Sequence, residues 1–354
     1  MRVLFYLPSH GSGSSLASMS GTHASAVQIA RILNASPGDD ARIAASADDL
    51  PPDDWLRGVD AFSPSLWAGD APTRAIAARL DRQRCAIVLW LHCVPLPDAN
   101  PFPEFRRTVV ACPSEFARRC CGLSSSPCAG VVGNGIDADA FALSTPLDER
   151  RKAPLSFAFH ATFERGCAVA HRVFSGLGGR SLFSIASYHH DPAAAALAAA
   201  DPRVVDRGSL DKAALREMLL DSDYFVYPLV LPDGRVHHDT FACVVLEAMA
   251  CGAVVVTWDV ACLRELYGAD CIVALDVAEC GLESAGYDPR APAGRNPNLL
   301  SDAAVAALRA AVERLEADPG EKRRLRENAR AKAASAAMSW AAAADALVAL
   351  VAPA

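Results

Sequence analysis

The sequence predicts an α/β protein made of two doubly wound units in tandem. Three observations predict it. Short apolar runs alternate with segments of helical period through most of the chain, and a polar, proline-containing stretch from Leu143 to Pro154 interrupts that alternation once. The length, 354 residues, suits two domains of roughly 100–200 residues each. Alternation of this kind builds parallel sheets with helices on both faces.

In the first unit, expected over residues 1–145, strands are predicted at Val3–Leu7, Arg42–Ala45, Ile87–Leu91, Thr108–Ala111 and Gly130–Val132. Helices are predicted at His23–Leu33, Thr73–Gln83 and Ser114–Cys121. The second unit, expected over 146–335, reads as strand Leu155–Phe159, helix Ala168–Ser175, strand Leu182–Ala186 and helix Pro192–Ala199. Strand Arg203–Val205, helix Lys212–Leu220 and strand Tyr224–Pro228 follow. The run Asp239–Gly252 reads as a helix stopped by glycine, and Ala253–Thr257 as a buried strand. Residues Glu279–Asn298, rich in Gly, Pro and Asn, read as a long surface loop. Val305, Leu308, Val312 and Leu315 recur at helical spacing behind the cap Asp302. A basic helix, Glu321–Lys332, follows, with a solvated face expected. Trp340, Ala344, Leu347, Val348 and Val351 then form one apolar stripe on a terminal helix over 336–354.

Composition narrows the function classes. The net charge of −7 argues against a surface that coats nucleic acid. No apolar run reaches the roughly 18 residues of a membrane span, which leaves only peripheral membrane contact open. Twelve cysteines are scattered without C-x-x-C pairs or zinc-type spacing. Several lie inside apolar runs, which points to reduced, core-filling thiols and a cytoplasmic location. The triplets His189-His190-Asp191 and His237-His238-Asp239 make poor metal sites, since adjacent side chains on extended chain point opposite ways. No metal site is assigned.

The chemistry concentrates in Asp239–Gly252. Glu247 sits in the middle of a run that is otherwise almost wholly apolar. A bare buried carboxylate costs several kcal/mol or protonates. No cation lies one turn away, so its partner comes from elsewhere in the fold or from a ligand bearing hydroxyls.

This run resembles the donor-binding signature of the retaining glycosyltransferases of family 4, which have the GT-B fold of two Rossmann-like domains facing a central cleft. The signature is an acid, seven residues, then Glu, within E-S/T-F-x-x-x-x-L-E-A-M-A-x-G. Here the first acid is Asp239, one methylene shorter than the usual Glu, and Ala242 stands at a frequent Gly. Asn134-Gly135-Ile136-Asp137 with Phe141 matches the N-G-I-D-x-x-x-F closing of the first domain in that family. The run Phe159–Gly166 resembles the segment whose Lys or Arg before Gly contacts a diphosphate.

The resemblance implies transfer of a sugar from a nucleoside-diphosphate sugar to a hydroxyl acceptor, with retention and without a metal or other cofactor. It implies Glu247 on the ribose hydroxyls, Asp239 at the donor sugar, His92 at the donor sugar or the acceptor, and Arg165 with Thr162 on the diphosphate. Thr240, with the backbone amides of Phe241, Ala242 and Cys243, stands at the start of the signature helix, where free N–H groups and the helix dipole suit an anion. Backbone around Asp206–Leu210, Leu210 included, is implied in base recognition. The Gly/Ser loop Pro8–Ser15 and the helix start near Gly21 read either as an anion cradle or as an ordinary connection. Glu265 matches a family helix start and is open to either a contact or a structural role. A terminal helix crossing back to the first domain is also implied. Two other readings share the fold: a nucleotide-sugar epimerase or phosphorylase, and a non-catalytic member that binds sugar nucleotide or glycan.

Overall fold

The computed structural model describes residues 1–6, 21–44, 49–64, 71–81, 85–91, 107–141, 154–179, 181–188, 190–284, 288 and 294–352. They form two compact units, Met1–Gly135 with Ala336–Ala354, and Ile136–Ser335. Most of the stretch read as a linker, 143–153, lies outside the described residues.

The first unit contains β1 (Arg2–Tyr6), α1 (Gly21–Ala35), β2 (Asp40–Ala44), α2 (Asp53–Leu56), β3 (Ala61–Pro64), α3 (Ala71–Asp81) and β4 (Ala86–Trp90). It continues with β5 (Thr108–Cys112), α4 (Glu115–Cys120) and β6 (Ala129–Val131). The sheet order is β2-β1-β3-β4-β5-β6, and every pairing is parallel. Alternate side chains feed two cores, as the period of two in a strand requires. Leu4, Tyr6, Ile87 and Leu89 pack with Phe62, Ile76 and Leu80. Val3, Phe5, Val88 and Trp90 pack with Ile29 and Leu33 on the opposite face.

The second unit contains α5 (Ala138–Phe141), β7 (Ser156–His160), α6 (Cys167–Gly176), β8 (Leu182–Ala186), α7 (Pro192–Ala200), β9 (Val204–Asp206), α8 (Lys212–Leu220) and β10 (Tyr224–Val226). Next come α9 (Cys243–Ala250), β11 (Val254–Trp258), α10 (Leu263–Tyr267), β12 (Val273–Leu275), α11 (Asp302–Ala317) and α12 (Pro319–Ala333). Its sheet, β12-β11-β10-β7-β8-β9, is also wholly parallel. Counted from β7, this is the 3-2-1-4-5-6 order of a dinucleotide-binding sheet, with its order reversing between β7 and β10. An aromatic stack anchors one face, with Phe157 5.4 Å from Tyr224 and Phe174 5.3 Å from Phe183.

The last helix, α13 (Trp340–Val351), packs in the first unit, placing Ala343, Ala344, Leu347 and Val351 against the face that holds Ile29 and Val109. Gly135 permits this docking: a Cβ there would lie 2.2 Å from the backbone nitrogen of Trp340. The glycine of the Asn-Gly-Ile-Asp run therefore has a steric reason.

Several expectations change. β12, absent from the expected second unit, extends its sheet beside β11. β3 carries only a short apolar signal before Pro64, yet it lies between β1 and β4. The helix expected from Asp239 begins at Cys243, because 239–242 form a capped turn with Ala242 at φ 53°, ψ 58°. The 279–298 segment is pinned at one end: Asn296 is fully buried, and its Nδ2 donates to the carbonyl of Leu282 at 2.8 Å.

Candidate functional site

In a parallel doubly wound sheet, ligands bind beyond the carboxyl ends of the strands, at the point where strand order reverses. In the second unit that point lies between β7 and β10. The chain leaving β7 runs through Ala161 and Thr162 into a short 3₁₀ turn, Phe163–Arg165. Gly166 follows at φ 110°, a conformation favouring glycine. A Cβ there would stand 3.2 Å from Pro228 Cβ, so this glycine lets the turn lie against the chain leaving β10.

That approach brings Arg165 to Tyr227 and Asp239. Burial would lower the affinity of the Arg165 guanidinium for its proton, but Tyr227 and Asp239 outweigh it, and its pKa is raised. Tyr227 is buried; its hydroxyl donates to Asp239 Oδ2 at 3.0 Å, and its pKa is raised well above the ordinary value, first by burial and then by the Asp239 charge. The other oxygen, Asp239 Oδ1, accepts from the backbone N–H of Ala242 at 2.8 Å and of Phe241 at 3.3 Å. Two of the three amides assigned to an anion from sequence are thus already engaged by Asp239. A short acid can fold back on the amides two and three residues ahead of it.

Ala242 sits in the left-handed region, which costs a non-glycine residue about 1–2 kcal/mol. Tyr267 holds that conformation in place. Its hydroxyl donates to the carbonyl of Phe241 and, at 3.1 Å, to that of Ala242, while its ring meets Phe241 edge-on. Thr240 and Phe241 are buried, and Cys243 is half-buried at the start of α9.

Glu247 is 7% exposed on α9. Its partner is Lys212 on the first turn of α8, whose Nζ pairs with Glu247 Oε1. Burial acts to lower the Lys212 pKa, but the Glu247 carboxylate outweighs it and the pKa is raised. Asp211 fixes this lysine at the helix start, since its Oδ1 accepts from the Ala214 amide at 2.8 Å. The carboxylate flagged in the sequence therefore has a protein cation from the fold. Sequence reasoning passed over Lys212, whose signal was a basic residue just behind a capping Asp at the end of a β-to-α connection.

Other described groups complete this end of the sheet. Asp206 Oδ1 accepts from the Gly208 amide at 2.9 Å, and Ser187 N–H donates to the Gly208 carbonyl at 3.0 Å, which ties the Asp206–Leu210 loop beside β8. Leu210 is half-buried there. His237 has its pKa pushed down to about 4, first by burial and then by Arg165.

Residues 173–284 match the family model described as glycosyl transferases group 1. Sucrose-phosphate synthase from Thermosynechococcus elongatus superimposes with a TM-score of 0.67 at 16% identity, covering 99% of this chain and 98% of that one. The fold is GT-B. AviGT4, a glycosyltransferase involved in avilamycin A biosynthesis, gives 0.61 at 14% identity over 99% and 96% of the two chains. Anabaena Alr3699/HepE, solved in complex with UDP and glucose, gives 0.60 at 13% identity over 98% of each. No curated protein matches this chain. The group 1 match over residues 173–284 supports sugar transfer.

The GT-B second unit thus brings together Arg165, Asp239, Glu247 and the 240–243 turn, with Thr162 half-buried on the loop after β7. Gly21 is elsewhere, as the first residue of α1 in the other unit. His92 and the Pro8–Ser15 loop lie outside the described residues. Glu265 is exposed on α10. Among the described residues, no helix is long and apolar enough to cross a membrane.

Proposed function

We propose that this chain is a retaining glycosyltransferase that moves a sugar from a nucleoside-diphosphate sugar to a hydroxyl of a glycan, lipid or metabolite. The observation that carries the reading is the convergence of Arg165, Asp239 and the Lys212–Glu247 pair at the strand-order reversal of a GT-B unit. The bond from the anomeric carbon to the phosphate oxygen breaks, and negative charge grows on the departing diphosphate. Arg165 supplies fixed positive charge for it. The bond to the acceptor oxygen forms on the same face, and the acceptor proton passes to the departing phosphate. Glu247 takes the ribose hydroxyls while Lys212 balances its charge. Asp239 Oδ2 keeps a second lone pair for a sugar hydroxyl beyond the one that Tyr227 uses. Retention, a metal-independent reaction and a cytoplasmic location belong to this reading through the family resemblance and the buried thiols Cys85, Cys112 and Cys167.

The test begins with thermal shifts against UDP, GDP and ADP and their sugars. A bound donor at a hundredfold excess over Kd stabilises by about 2.7 kcal/mol. Pooled acceptors with the best donor then report transfer, and the anomeric proton coupling of the product reports its configuration. Arg165→Ala is expected to lower turnover by about 10²–10³-fold while leaving the fold intact. Undiminished transfer by that variant refutes the role of Arg165, and conversion of donor alone to its epimer favours the epimerase reading.

A further inference from the structure

His160 is the last residue of β7, the strand on one side of the order reversal. It is 5% exposed, and its Nδ1 has no hydrogen-bond partner among the described residues. Buried polar atoms in native proteins are nearly always paired, and an apolar filler of similar shape would avoid the penalty of a bare nitrogen. The surroundings are not those of an ordinary core. Lys212 on α8 and Arg165 on the following turn both act against a charge on this ring. With burial as the larger cause, they push its pKa down to about 3, so the imidazole is neutral near pH 7. Its cover is Tyr188, beyond the end of β8, whose ring meets the imidazole edge-on at 4.9 Å and 73°. Tyr188 is itself 46% exposed, so this cover has solvent to move into.

We propose that His160 is a ligand-contacting residue of the donor site: once the Tyr188 ring turns aside, the neutral imidazole gives its Nδ1–H to an oxygen of the nucleoside diphosphate held by Arg165. The proposal rests on the donor-site reading above. It explains why a polar ring occupies a position where a phenyl ring would pack without penalty. A neutral donor adds direction to the contact without a further full charge, which would also hold the product diphosphate more tightly.

The experiment compares wild type with His160→Phe and His160→Gln, using UDP, GDP and ADP as probes. Without ligand, His160→Phe is expected to melt higher than wild type, because the bare nitrogen is gone. Its affinity for the preferred nucleotide is expected to fall about ten- to hundredfold, the usual effect of losing a hydrogen bond to a charged group. His160→Gln, which keeps a donor, is expected to recover most of that affinity. In wild type labelled with ¹⁵N-histidine, the His160 Nδ1 resonance is expected to shift on saturation with the nucleotide. A folded His160→Phe that binds with wild-type affinity, or an Nδ1 resonance that does not move, overturns the proposal while leaving the donor site in place. Should His160→Phe fail to fold, the glutamine variant and the wild-type resonance decide. If none of the three nucleotides binds wild type, the donor-site reading falls and this proposal falls with it.

Discussion

Replacing Lys212 with methionine leaves the Glu247 carboxylate in place without its cation. The size of the effect follows from the uneven exposure of the pair: the Glu247 side chain is 9% exposed and the Lys212 side chain 52%. Removing one partner of a fully buried pair costs about 3–5 kcal/mol, whereas an exposed pair contributes about 0–1 kcal/mol. With one buried and one half-exposed member, a loss of about 2 kcal/mol is expected. For a folding unit the size of Ile136–Ser335, each kcal/mol moves the midpoint by about 2–4 °C, so its transition should fall by about 4–8 °C. Differential scanning calorimetry reads this directly. The decisive comparison is the cycle with Glu247→Gln. If the isolated charge is the cause, the double variant should melt well above Lys212→Met alone, with a coupling of about 1–2 kcal/mol. An unchanged midpoint for Lys212→Met, or losses that simply add in the double variant, would refute the claim that this lysine balances the carboxylate.

Two further perturbations test the site's construction. Ala242→Gly removes the left-handed penalty at φ 53° and is expected to stabilise the second unit by about 1 kcal/mol, less the extra freedom that glycine gives the unfolded chain; a lower midpoint would show that the Ala242 methyl group is a packing contact. The second perturbation is pH. His160 has a folded pKa of about 3 against an ordinary 6.5, so between those values the unfolded chain binds the extra proton and stability rises with pH. The contribution is complete above pH 6.5 and lost as pH falls below it, amounting to about 2 kcal/mol by pH 5. Urea midpoints at pH 7 and pH 5 should therefore differ less in His160→Gln than in wild type, and identical pH dependence in the two proteins would contradict a buried, neutral ring.

The plainest strands in the sequence are those buried throughout, although the partly exposed β2, β6, β8 and β9 are legible as well. β4 and β11 are buried throughout, and their continuous apolar runs stand out from the polar segments around them. β3 is different in kind. Only Ala61, Phe62 and Ser63 supply its buried signal, Pro64 ends it, and its place between β1 and β4 is a matter of tertiary pairing. The start of α9 was misjudged for a related reason. Apolar character continues unbroken from Phe241, but Asp239 accepts from the amides of Phe241 and Ala242, and the helix begins only beyond that turn. An Asp two residues ahead of an apolar run can fold back on that run's first amides, a signal that hydropathy alone conceals. In the site, a carboxylate within an apolar helix announces that it needs a partner, yet nothing local names it. Lys212 lies 35 positions away and reaches Glu247 through the packing of α8 against α9.

Asp239 joins these threads. A Glu at this position has a longer reach toward a ligand but is poorly suited to bonding the amides two and three residues ahead. Asp does so, and in return its carboxylate is held by Tyr227 on one oxygen and by two backbone amides on the other. The negative charge thereby becomes a fixed feature beside Arg165, and the turn it caps holds Ala242 in a conformation that Tyr267 secures from the far side. Loss of the whole side chain would release the turn, the tyrosine and the arginine together. For this chain, then, a diminished activity on changing Asp239 cannot by itself distinguish a sugar contact from a collapsed loop, and the separation needs a substitution that keeps the cap. Asparagine is such a residue: it retains an acceptor for the two amides while removing the charge, so activity lost in Asp239→Asn with the second unit's stability retained would assign the carboxylate to the ligand and not to the turn.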